Sequence, residues 1–142
     1  MIEKTFKIHE LPQIANLIFE YINNNSTIAL YGDMGSGKTT LSKEIISKFN
    51  VEKNSIESPT FVKLYVYEGT LDYKPLNIYH YDLYRIDNDE ELYRLGLYDR
   101  LGSGLSIIEW AEKMTTVPKG TIIVNMLYID METRKISIKI EK

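Results

Sequence analysis

The sequence predicts one α/β domain spanning residues 1–142, with a mixed, mostly parallel central sheet flanked by helices and a C-terminal antiparallel hairpin. Three observations predict it. A nearly continuous apolar run, residues 27–31, ends at Gly32 and is followed by apolar residues at helical spacing. Two further apolar runs, 76–81 and 105–108, each end in an acid, Asp82 and Glu109. Near the C-terminus Ile136, Ile138 and Ile140 alternate, the period of a strand with one buried face.

The elements follow in order. Leu11, Ala15, Ile18 and Ile22 recur at helical spacing, with Ile14, Leu17 and Tyr21 widening the apolar face, so residues 11–22 form an amphipathic helix. The loop signal Asn23-Asn24-Asn25-Ser26 separates it from the strand at 27–31, whose composition suits burial on both faces. Leu41, Ile45 and Phe49 repeat every four residues, giving a helix over 38–49. Residues 61–67 and 76–84 read as strands rich in aromatic side chains. A helix over 89–95 opens with Asp89, Glu90 and Glu91, where the helix dipole favours acids. A short buried strand at 105–108 precedes a closing hairpin of 121–129 and 135–140.

Composition narrows the chemistry. The 142 residues suffice for a core without covalent staples, and 44% are hydrophobic. There is no cysteine and only two histidines, His9 and His80, which excludes thiolate chemistry and argues against a histidine-rich metal site. No apolar run approaches the ~20 residues that span a bilayer. The first ten residues mix charged and apolar types, unlike a signal peptide, so the expected place is the cytoplasm. The net charge is −3, with four arginines: Arg85, Arg94, Arg100 and Arg134. That composition argues against strong independent binding to nucleic acid, which needs a basic patch.

Gly32-Asp33-Met34-Gly35-Ser36-Gly37-Lys38-Thr39 fits the pattern G-x-x-x-x-G-K-[ST]. Glycines let the backbone curl so that several N–H groups face one concavity and hold phosphate oxygens. The helix that follows aims its positive end at the same place. In this arrangement Lys38 reaches the β- and γ-phosphates and Thr39 offers its hydroxyl to Mg²⁺. The motif follows a buried strand and opens a helix, the context it requires. The chain is therefore expected to bind a nucleoside triphosphate with magnesium in a P-loop NTPase-like domain. The guanine-reading block N-K-x-D is absent from the sequence, which favours ATP.

Phosphoryl transfer also needs a strand-borne carboxylate near the metal and a group that orients the nucleophile. Asp82 and Glu109 both fit, and spacing alone does not divide the roles. His80 stands two residues before Asp82, so the two share a strand face with Ile78 and Tyr84 and need partners if buried. A lone histidine is more often structural than catalytic, and Trp110, the only tryptophan, suits core packing as well as stacking beside a nucleotide.

Taken in order, the phosphate loop continuing to Thr40, Ser58-Pro59-Thr60-Phe61, His80-Tyr81-Asp82-Leu83-Tyr84-Arg85, Glu91-Leu92 with Leu95-Gly96, and Ile108-Glu109-Trp110 resemble the TsaE (formerly YjeE) family of small bacterial P-loop ATPases. The resemblance implies ATP hydrolysis in making tRNA threonylcarbamoyladenosine, alongside the partner proteins TsaB and TsaD, with tRNA engaged only indirectly. It implies a catalytic set of Asp82, Lys38 and Thr60. Asp82 would act at hydrolysis, and Thr60 would lie in a switch region near the γ-phosphate. It implies nucleotide contacts from Asp33, Met34, Gly35, Ser36, Gly37, Lys38, Thr39, Thr40, His80 and Trp110, and magnesium held by Thr39 and Glu109. Ala111 departs from the family, which often has proline there, and the hairpin from Thr121 onward carries no matching motif. Two other readings compete. One is a small-molecule kinase on the same loop, which the shortage of arginines disfavours. The other is a nucleotide-dependent assembly scaffold without useful turnover.

Overall fold

The computed structural model describes residues 1–59 and 62–142. Seven strands form one sheet in the order β1-β7-β6-β2-β5-β4-β3. They are β1 (Ile2–Lys7), β2 (Thr27–Tyr31), β3 (Leu64–Leu71), β4 (Lys74–Asp82), β5 (Leu105–Glu109), β6 (Ile122–Tyr128) and β7 (Thr133–Ile140). The central strands β6, β2, β5 and β4 run parallel. β3 pairs antiparallel with β4 at one edge, and β7 and β1 extend the other edge antiparallel. The mixed sheet and the closing hairpin are those the sequence predicts.

Strand alternation divides the core between two faces. Ile28 and Leu30 of β2, Ile78 of β4, and Leu105 and Ile107 of β5 pack with helices α1 (Leu11–Phe19) and α2 (Lys38–Ser47). On the other face Ala29, Tyr81 and Ile108 pack beneath α3 (Asp89–Leu95) and α4 (Leu97–Arg100), through Leu92 and Leu97. Leu41 and Ile45 of α2 have no exposed surface, so truncating either to alanine costs ~2–5 kcal/mol.

Both long helices end earlier than their apolar spacing suggests. After Phe19 the Tyr21 and Ile22 amides bond to Ile18 and Phe19, three residues back, and after Ser47 those of Lys48 and Phe49 do the same to Ile45 and Ile46. These tightened final turns keep Phe49 fully buried while ending the α-helix. α3 matches its predicted bounds because its ends are chemically marked. The Asn88 side chain accepts the Glu91 amide, and Gly96 closes the helix at φ +78°. β3 begins at Leu64, later than the expected position 61, and Phe61 lies outside the described residues.

Candidate functional site

β2 delivers the chain to the phosphate loop at the carboxyl end of the parallel strands, where α/β sheets bind ligands. Gly32 turns at φ +146°, and a Cβ there would stand 2.6 Å from the Met126 carbonyl oxygen and 2.9 Å from Ser36 Oγ. Only glycine fits. Gly37, at φ +106°, passes the chain into α2, which starts at Lys38.

Lys38 is buried, 5% exposed. Its ammonium donates to the carbonyls of Gly32 and Asp33 and lies 3.9 Å from the centre of the Trp110 ring. Burial pulls its pKa below the ordinary value, and the carboxylates of Glu112, Glu109, Asp82 and Asp33 oppose that shift.

Asp82 and Glu109 are cross-strand neighbours, since β4 and β5 pair in that register. Glu109 is the hub. Thr39 Oγ1 donates to its Oε1 at 2.5 Å, and His80 Nε2 lies 2.6 Å from its Oε2. The His80 side chain is fully buried and that of Glu109 almost so. Asp82 Oδ1 accepts the Tyr84 amide at 2.9 Å. Burial raises the Asp82 pKa; the Tyr84 amide opposes the rise, Glu109 adds to it, and His80 and Lys38 oppose it.

These groups line a cavity of about 720 Å³, within the range of small-molecule sites. Its walls include Met34, Gly35, Ser36, Gly37, Lys38, Thr39, Thr40, Asp82, Glu109 and Trp110. Of the predicted nucleotide contacts, Asp33 and His80 are not on the wall. Asp33 holds Lys38 through its carbonyl, and His80 stands behind Glu109. Thr60 lies outside the described residues. The donor set suits magnesium, which prefers oxygen ligands and keeps several waters. Thr39 and Glu109 bring a hydroxyl and a carboxylate together. Among the described residues no group of three or more His, Cys, Asp or Glu side chains forms a dedicated metal cage.

A sequence model of the family described as "Threonylcarbamoyl adenosine biosynthesis protein TsaE" matches residues 6–137. The chain belongs to the TsaE family. A relative from Rickettsia typhi, named tRNA threonylcarbamoyladenosine biosynthesis protein TsaE, is 39% identical over 133 residues, 93% of this chain and 90% of that one. The Rickettsia prowazekii protein of the same name is 38% identical over 130 residues, 91% and 88% of the two chains. The crystal structure of Bacillus subtilis YdiB superposes with a TM-score of 0.69 and 23% identity, covering all of this chain and 89% of that one, a likeness of fold.

Four residues on the cavity wall of this TsaE protein escape motif reasoning outright: Ile8, His9, Leu11 and Arg134. Arg134 donates through Nε to Ser36 O at 3.2 Å and through Nη2 to Gly35 O at 3.3 Å, tying β7 to the phosphate loop. One signal for it is in the sequence. Arg134 is in phase with Ile136 and Ile138, and an inward-facing cation needs acceptors. Tyr84 also lines the cavity, its ring 4.9 Å from that of Trp110.

Proposed function

We propose that the cavity binds ATP with magnesium and hydrolyses it, and that the protein serves tRNA threonylcarbamoyladenosine biosynthesis together with TsaB and TsaD in the cytoplasm. One observation carries the reading. Thr39, opening α2, shares a hydrogen bond with Glu109 at the end of β5, while Lys38 and Asp82 line the same cavity. That is the division of labour a P-loop hydrolase needs.

The loop amides and the α2 N-terminus hold the phosphates. The two carbonyls that accept from Lys38 fix its ammonium beside them. Thr39 and Glu109 would hold magnesium, which neutralises charge on the β- and γ-phosphates when bound. Asp82, with one oxygen engaged by Tyr84, orients the attacking water from the cavity wall. Ile8 and Leu11 on the cavity lining would offer an apolar wall to the base. Arg134 is the one arginine lining the cavity among the described residues, and its bonds to the loop leave no lid of arginines for a phosphate acceptor. This disfavours a small-molecule kinase.

ATP turnover measured with and without a TsaB–TsaD complex tests the reading. Stimulated hydrolysis that disappears in Asp82→Ala supports it. Full tRNA modification by a variant that binds ATP without hydrolysing it would favour the scaffold instead.

A further inference from the structure

One short segment touches the phosphate loop at three points. Glu109 meets Thr39, Trp110 lies under the Lys38 ammonium, and Glu112 Oε2 accepts the Gly32 amide at 3.2 Å. The first two residues line the cavity; Glu112 does not.

The local fold explains how Glu112 reaches Gly32. β5 ends at Glu109, and Trp110 takes a left-handed backbone, φ +58° and ψ +47°. That reversal starts the 3-10 turn Ala111–Lys113. The turn is anchored on both sides of Glu112. Ala111 is buried in the core beneath α3 and α4, and Lys113 Nζ donates to the Ile86 carbonyl at 3.1 Å. Glu112 is itself exposed, yet its carboxylate is held at the end of β2.

Gly32 is thereby held on both flanks. The N–H of the Tyr31–Gly32 peptide donates to Glu112, and the carbonyl of the Gly32–Asp33 peptide accepts from Lys38. Gly32 cannot hold its own place by side-chain packing, because it has none and tolerates none.

We propose that Glu112 is a positioning residue for nucleotide binding: it accepts the Gly32 amide and so fixes the residue whose carbonyl aims Lys38 at the phosphates. This rests on the reading of the cavity as a triphosphate site. It concerns a residue that touches neither nucleotide nor metal in that reading.

Two variants separate the bond from the charge. Glu112→Gln keeps an acceptor for the Gly32 amide, and Glu112→Ala removes it. MgATP titration should show binding weakened about tenfold in Glu112→Ala and about unchanged in Glu112→Gln. Both variants should stay folded, Glu112→Ala with a modestly lower Tm and Glu112→Gln near the wild type. The Gly32 amide resonance, followed by NMR without nucleotide, should move upfield in Glu112→Ala and stay near its wild-type position in Glu112→Gln. Wild-type affinity in Glu112→Ala, equal loss in both variants, or an unmoved Gly32 amide in Glu112→Ala would each overturn the proposal. Failure of the wild type to bind any nucleoside triphosphate, with the Gly32 amide responding as described, would instead overturn the reading of the cavity and leave a purely structural clamp.

Discussion

His80 Nε2 lies 2.6 Å from Glu109 Oε2, with the imidazole fully buried and the carboxylate almost so. The histidine therefore fixes the carboxylate that also meets Thr39, and acts on the cavity from behind its wall. Removing one member of such a pair leaves the other buried without its partner. His80→Ala should cost about 1–3 kcal/mol of folding stability, read by urea unfolding, because it leaves a buried carboxylate oxygen without its hydrogen-bond partner. His80→Gln, which can still donate to Glu109, should recover part of the loss.

Lys38→Ala should abolish productive MgATP binding in a calorimetric titration. Because Lys38 is buried and bonded to two loop carbonyls, the variant should also lose about 1–2 kcal/mol of stability. Unchanged affinity would remove Lys38 from the phosphate site.

Glu109 and Asp82 should separate by phenotype. Glu109→Ala should weaken the magnesium dependence of ATP binding, since it removes the carboxylate beside Thr39. Asp82→Ala should bind MgATP nearly normally and fail to hydrolyse it, the pattern of a contact made in the transition state. The opposite result for the two variants exchanges their roles.

Asp82 also carries a pH signature in stability. Burial, its leading cause, raises the folded-state pKa above that of the unfolded chain. Between the two values the folded protein holds more protons, so this group's contribution falls as pH rises through that window, and its full cost remains above it. Asp82→Asn should accordingly raise Tm at neutral pH, and the gain should shrink as the pH drops toward the ordinary carboxylate range. A gain that is constant from acid to neutral pH would show that ionisation of Asp82 is not its source.

Charge bears on the partners. With 17 basic and 20 acidic side chains, the chain has little with which to neutralise an RNA backbone. The isolated protein should bind tRNA weakly at physiological salt, and ATP should modulate its binding to TsaB–TsaD. Thr60→Ala should reduce partner-stimulated hydrolysis more than ATP binding. Tight, salt-resistant tRNA binding in a gel shift would contradict the first expectation.

The phosphate loop, β2 and α2 are legible because their signals are local: a spacing of glycines, an apolar run and a four-residue repeat. The cross-strand neighbourhood of Asp82 and Glu109 is only half legible. Each acid visibly ends a strand, but their adjacency depends on the pairing of β4 with β5, which no local pattern records. β1 is illegible for a related reason. As an edge strand it buries Phe6 alone among its residues, so its sequence shows no alternation, and its partner β7 is distant in the chain. That pairing brings Ile8 and His9 to the cavity. Glu112 leaves no mark either, since an acid in an exposed turn is ordinary until the Gly32 amide is placed beside it.

Trp110 is the only tryptophan in the chain, and its ring contacts both the Lys38 ammonium and the Tyr84 ring. Excitation at wavelengths that the indole absorbs and the eleven tyrosines do not thus reports from a single point, the wall of the cavity itself. Whatever shifts Lys38 changes the electrostatic surroundings of that indole and with them the colour and intensity of its emission. Stopped-flow mixing can follow the loop in real time, with no dye attached and no background from a second chromophore of the same kind.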